Sequence, residues 1–247
     1  MMDTSITILT IILSVATVVE AVEGFLSIKK TKSKEITQKL RIKLYRDGIL
    51  WGWVRTAICL TIMLLFKFPL KDIGLIFPVA FSKSVPLAIG ILVYIVSIAL
   101  FALLVYQIIM YLFSDKYRME LSKVMEKKES IQGFDFMLPT SRTEKNWFSF
   151  VAVTAAIGEE IVYRGFLMFL LLQAFPEINI YLVLALATLI FGIAHMYQGL
   201  SGMIRTMLIG LLLGALYLIS NSLLYGMILH FVIDFSACFL YSEKNKG

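Results

Sequence analysis

Charge is what this 247-residue chain has little of: 16% of its residues are Asp, Glu, Lys or Arg, against 59% hydrophobic and 13% aromatic. With a mean hydropathy of +0.84, it carries more apolar surface than one soluble core could hide. A soluble globular domain is therefore excluded, and the sequence reads as a polytopic membrane protein. Cysteine is scarcer still. Cys59 and Cys238 each stand alone in apolar sequence, which excludes a disulfide framework and a thiolate metal site and leaves both as packing or lipid-facing residues. Internal repeats and low-complexity tracts are missing. Basic residues are also missing from the start, Met1-Met2-Asp3, and no small-residue cleavage pattern follows, so the first apolar run is not expected to be a signal peptide. The formal net charge of +6 fits attraction to anionic lipid head groups, and no stretch reads as a nucleic-acid groove.

What is present is a series of long apolar runs. A helix needs about 20 residues to cross the hydrocarbon core, and seven segments approach that length: Ser5 to Leu26, Ile49 to Phe66, Pro86 to Phe113, Phe148 to Leu172, Ile180 to Met196, Met203 to Ser220 and Leu223 to Tyr241. The expected fold is an all-α membrane bundle of about seven transmembrane helices, with residues 1–247 as a single integral membrane domain. The stretch from Lys29 to Asp47 carries Lys29, Lys30, Lys32, Lys34, Lys39, Arg41, Lys43 and Arg46 against Glu35 and Asp47. The positive-inside rule places it in the cytoplasm, so the N-terminus is expected outside and the tail with Lys244 and Lys246 inside. Asp115 to Lys145 is expected to hold an amphipathic surface helix. Lys67 to Val85, with Gly74 and Pro78, reads as a boundary between helices, and Glu20, Glu23 and Arg55 read as interfacial residues that snorkel to the head groups.

Against this background Glu159, Glu160 and Arg164 stand out, because a charge at bilayer depth costs roughly 2.5 to 3.5 kcal/mol per residue on insertion scales. Glu160 and Arg164 are four apart, so they share a helix face and can pair. Glu159, rotated by about 100° on an α-helix, cannot share that arginine equally. An unmatched carboxylate in a membrane points to a proton, an ion or catalysis. Both histidines of the chain also fall in apolar runs. His195 has Phe191 four residues earlier as a packing partner, and His230 has Asp234 four residues on, where a carboxylate can orient an imidazole.

Glu159-Glu160-x-x-x-Arg164-Gly165, Phe191-x-x-x-His195 and His230-x-x-x-Asp234, in that order on three apolar helices, resemble the three-motif signature of the CPBP family. That family comprises type II CAAX prenyl endopeptidases and Abi-type bacteriocin-processing or immunity proteins. The resemblance covers Phe148 to about Tyr241, so the motifs lie within residues 148–241. It implies an intramembrane endopeptidase in which Glu159 and His195 activate a water on the scissile carbonyl. Glu160, held by Arg164, would shape the site, and His230 would stabilise the oxyanion with Asp234 in support. Peptide hydrolysis needs a base for the water proton, a donor for the oxyanion and a dry site, and carboxylate plus imidazole supply these without serine or cysteine.

Family members carry asparagine or aspartate at the last motif position, and here it is Asp234. Three carboxylates against one guanidinium leave a formal −2 if both histidines are neutral, which is costly in a low dielectric. Two resolutions stand side by side: a divalent cation such as Zn2+ held by Glu159, His195 and His230, or a metal-free site whose carboxylates share protons. The implied partners are membrane lipids and a hydrophobic or lipidated peptide or protein. The Lys- and Ile-rich flavour points to a bacterial plasma membrane, where maturation of a peptide pheromone or bacteriocin is the expected task. The opposing reading is a non-proteolytic immunity or scaffold protein whose polar cluster locks helices. A transporter is a weaker alternative, because no paired inverted repeat or pair of broken helices is present.

Overall fold

The computed structural model describes residue 8 and residues 37–78, 81–82, 85–127 and 137–240. The expected first span, apart from Ile8, lies outside the described residues, together with Glu20, Glu23, the lysines from Lys29 to Lys34, Lys244 and Lys246. Every regular element among the described residues is helical, and the molecule is an all-α membrane bundle.

Thr37, extended, caps α1 (Gln38–Leu65) by accepting a hydrogen bond from the Leu40 amide, and the helix runs on through the basic stretch into the apolar one. Pro86 sets the entry to α2 (Leu87–Phe113), whose outer face exposes Leu92, Ile95, Ile98 and Leu103. Exposed leucine and isoleucine along a helix of this length make sense only against lipid. The amphipathic helix expected after it is α3 (Asp115–Lys127). Ser141 and Glu144 then form a capping box that starts α4 (Arg142–Glu159).

At Glu160 the hydrogen-bond register changes. Residues Glu160–Leu167 form a π-helical segment, after which α5 (Met168–Ala174) completes the rod. The first motif is thus carried on a widened turn, the kind of local strain that recurs at functional sites. Asn179 caps α6 (Ile180–Ala194), a 3-10 turn Met196–Gln198 follows, and α7 (Gly199–Ser220) and α8 (Leu224–Leu240) close the bundle.

Among the described residues three stretches, α1, α2 and Met196–Ser220, are long and apolar enough to cross a membrane; α6 and α8 are shorter apolar helices. At 1.5 Å per residue, α6 spans only about 22 Å of a core about 30 Å thick, so it ends within the bilayer's depth. His195 is the residue on which it ends. α4 packs between α1 and α8, α6 packs on α7, and α2 leans on α7 and α8.

Within the segment expected as a boundary, Lys67 to Val85, Ile73 and Gly74 are buried against the bundle. Its 3-10 turn Leu70–Ile73 carries Ile73 to complete burial. The Leu223 amide donates to the Gly74 carbonyl at 2.9 Å, and the Ser82 amide donates to the Ile219 carbonyl at 2.6 Å. This packing explains Gly165 of the first motif, where a Cβ would meet the Ile73 carbonyl oxygen at 2.8 Å.

Candidate active site

The π segment, the end of α6 and the middle of α8 bring the three motifs together. Glu160 is fully buried, with Arg164 and His230 nearly so. Arg164 Nη1 donates to Glu160 Oε1 at 2.9 Å, and His230 Nδ1 lies 2.8 Å from the same oxygen. The Arg164 guanidinium also sits 4.0 Å over the Phe191 ring, so the second motif is tied to the first by a cation–π contact. Room for this pair is tight, since a Cβ at Gly226 of α8 would come 3.0 Å from Glu160 Oε2.

The Phe191 carbonyl accepts from His195 Nδ1 at 2.8 Å. A carbonyl can only accept, so the proton is on Nδ1 and the Nε2 lone pair is turned to the site. Glu159 Oε2 lies 3.8 Å from His195 Nε2 and 3.8 Å from His230 Nε2, and His230 Nε2 lies 3.6 Å from Asp234 Oδ2. These gaps are too long for direct hydrogen bonds and short enough for one water oxygen, about 2.8 Å from each neighbour, to bridge them. All four groups line a cavity of about 490 Å3. It reaches toward the end of the bundle where α1 and α4 begin, past Tyr45, Leu138 and Phe148.

Residues 143–236 match the family Type II CAAX prenyl endopeptidase Rce1-like. All three motifs fall inside this Rce1-like segment, in agreement with the CPBP resemblance, and the family is one of proteases. No curated protein and no solved structure matches the chain.

The Rce1-like segment leaves out α1, which nonetheless supplies Tyr45 and Arg55 to the cavity wall. Arg55, expected at the interface, is half-buried in that wall. One further expectation needs correction. The carboxylate that holds His230 is Glu160 and not Asp234: one turn along α8, Asp234 faces Nε2, while Nδ1 is turned to the π segment. Tyr197 and Gln198, in the turn after His195, also line the cavity; their only sequence signal is adjacency to the motif histidine.

Glu159, His195 and His230 offer the donor types that Zn2+ takes, and each imidazole has its second nitrogen anchored as a metal ligand's would be. Their spacing is a few tenths of an ångström wide for it. Ligands at about 2.0 to 2.2 Å from a tetrahedral ion stand about 3.3 to 3.5 Å apart, against 3.8 Å here. Among the described residues no group of three acidic, imidazole or thiol side chains is placed to hold a metal.

Proposed function

We propose that this protein is an intramembrane endopeptidase that hydrolyses a peptide bond in a membrane-associated, hydrophobic or lipidated peptide, with Glu159 as the general base. The observation that carries the reading is the position of Glu159 Oε2, 3.8 Å from the Nε2 atoms of both His195 and His230 on a cavity wall. A helix-locking carboxylate would be drawn to hydrogen-bond length, as Glu160 is. Glu159 is held one water away instead.

In this mechanism a water sits between Glu159 and His195, donating one hydrogen bond to each acceptor. Glu159 takes a proton as the water oxygen bonds to the scissile carbonyl carbon, and the carbonyl electrons move to oxygen. His230, anchored to Glu160 through Nδ1, presents Nε2 to that oxyanion with a proton drawn from those shared in the cluster. Collapse of the intermediate breaks the C–N bond, and the proton on Glu159 passes to the leaving amine. The apolar bundle keeps bulk water out, which strengthens each of these interactions.

The Lys- and Ile-rich composition supports a bacterial plasma membrane as the setting and a peptide pheromone or bacteriocin precursor as the substrate. The test uses an internally quenched farnesylated CAAX peptide and an unlipidated hydrophobic peptide in detergent micelles. Glu159→Gln and His195→Ala are each expected to lower cleavage at least about 100-fold with the thermal midpoint unchanged. Full cleavage by Glu159→Gln, or unfolding of both variants, overturns the proposal in favour of a structural cluster.

A further inference from the structure

We infer that the Thr154 hydroxyl of α4 donates to a backbone carbonyl of the bound peptide, two residues from the bond that is cut, and so fixes the register in which the peptide lies along the cavity. The inference rests on the endopeptidase reading and deepens it. A peptide bond is open to attack only where the chain is extended, and an extended stretch in an apolar site brings N–H and C=O groups that neither a helix nor bulk water satisfies. The cavity wall has to supply partners for them.

Most polar side chains on that wall are engaged. Tyr45 donates to the Met137 carbonyl at 2.6 Å, Ser236 to the Ile233 carbonyl at 2.6 Å, and Thr206 to Gln198 Oε1 at 3.3 Å. Arg55, Tyr163 and Tyr197 hold further contacts within the protein. Thr154 differs. It is 5% exposed and lines the cavity, and among the described residues its hydroxyl has no hydrogen-bond partner. A hydroxyl inside a helix ordinarily donates to the carbonyl four residues back, as Thr56 does to Gly52 at 2.9 Å, Ser149 to Lys145 at 2.8 Å and Ser220 to Leu216 at 2.8 Å. Thr154 makes no such bond to Phe150.

Packing aims this hydroxyl at the cavity. Its methyl is turned to α1, where a Cβ at Gly52 would come within 2.7 Å of it. Ser97 and Thr188 also lack a partner, but their hydroxyl oxygens are sealed in the packing; that of Thr154 opens on the cavity. Thr154 precedes Glu159 by five residues, about 7.5 Å along α4 at 1.5 Å per residue. Two residues of extended chain cover about 6.6 Å. A peptide whose scissile carbonyl meets the water at Glu159 therefore carries its second carbonyl along α4 to the level of Thr154. Between the two, Ala155 and Gly158 line the cavity, and both are short enough for a backbone to lie close against the helix.

The test replaces single amides of the internally quenched farnesylated peptide by esters, bond by bond on both sides of the cut. Each ester weakens one carbonyl as an acceptor and leaves the side chains in place. In the wild type one ester, two residues from the cut, is expected to lower kcat/KM about fivefold more than its neighbours do. Thr154→Val keeps the methyl against Gly52 and removes the hydroxyl. It is expected to lower kcat/KM on the all-amide peptide about tenfold with the thermal midpoint unchanged, and to erase the effect of that one ester, because both changes remove the same contact. Thr154→Ser keeps the hydroxyl and is expected to recover most of the rate. An ester scan that is flat in the wild type, or that has the same pattern in Thr154→Val, overturns the assignment and leaves Glu159 untouched. The flat scan is read on the wild type alone, so it decides even where Thr154→Val is unstable. A wild-type protein that cleaves none of the peptides overturns the endopeptidase reading, and this inference with it.

Discussion

His230 Nδ1 and Arg164 Nη1 meet on one oxygen, Oε1 of Glu160, at 2.8 and 2.9 Å. The third motif is therefore anchored on the first through a carboxylate that the cavity does not reach. Two layers follow from this. Glu159, His195 and Asp234 face the cavity, and Glu160 with Arg164 stands behind them, fixing the ring of His230.

Removing one member of the rear layer strands its partner. Breaking a buried ion pair by deleting one side costs about 3 to 5 kcal/mol, because an uncompensated charge stays behind. Arg164→Ala is expected to lose most of its folded yield in detergent. Arg164→Lys is expected to rescue little, since an ammonium cannot both pair with Glu160 and stack flat over Phe191. Glu160→Gln keeps the volume and an amide oxygen for Arg164, so it is expected to fold with a lowered thermal midpoint and to lower kcat through His230. Thermal midpoints measured beside cleavage rates check this, and a Glu160→Gln enzyme of wild-type kcat would remove Glu160 from the anchoring role.

Two glycines separate activity from stability. A Cβ at Gly226 would stand 3.0 Å from Glu160 Oε2, the end of a side chain that can give by a few tenths of an ångström. Gly226→Ala is therefore expected to tilt the carboxylate under His230 and lower cleavage about tenfold at small cost in stability. At Gly165 the obstacle is the Ile73 carbonyl oxygen at 2.8 Å, which is backbone and buried. Gly165→Ala is expected to destabilise by about 1 to 3 kcal/mol. Equal thermal midpoints for the two variants would show that the contacts do not discriminate in this way.

The limits of the sequence reading follow the same division between pattern and register. Apolar runs ending at Phe66, Phe113 and Ser220 correspond to helices ending within a residue of each, because membrane length and caps are local properties. The pairing of Glu160 with Arg164 and the role of Phe191 beside His195 were legible from spacing. The partner of His230 was not: spacing along α8 favours Asp234, whereas the side chain that captures Nδ1 lies 70 residues earlier in the chain. The π segment was equally hidden, since no residue type announces a change of hydrogen-bond register. Burial of Ile73 beside Gly165 and the cavity position of Arg55 are tertiary facts about segments that read locally as a loop and an interface.

Glu159 Oε2 stands 3.8 Å from Nε2 of both His195 and His230, a separation one water can bridge, and the water-based mechanism we propose has a direct consequence for chelators. Activity of the purified protein is expected to survive dialysis against EDTA and 1,10-phenanthroline. Elemental analysis is expected to find well under one equivalent of zinc. Loss of cleavage on chelation, restored by zinc alone, would mean that the 3.8 Å gaps contract around a metal and would reverse the assignment.

Glu144, at the start of α4 and outside the expected span, is fully buried. Its carboxylate accepts from Arg41 Nε at 2.7 Å, the Thr140 amide at 2.7 Å, the Thr140 hydroxyl at 2.8 Å and the Ser141 amide at 3.0 Å. Burial on its own would raise its pKa, but the bonds from Arg41, Ser141 and Thr140 outweigh burial and bring it below the ordinary carboxylate value. A carboxylate with a depressed folded pKa stabilises the fold at all pH above its unfolded value, about 4.3, and loses that contribution as pH falls through the folded value. This clasp joins the first turns of α1 and α4 beside Tyr45 and Leu138, which line the cavity. Glu144→Gln should thus show a lower thermal midpoint than the wild type at pH 7, and the gap should close as the pH is taken below about 4. Other carboxylates titrate over the same range, so the readout is the difference between the two proteins at each pH. A gap that stays constant from pH 7 to pH 3 would mean that Glu144 contributes shape and not charge to the junction of α1 and α4.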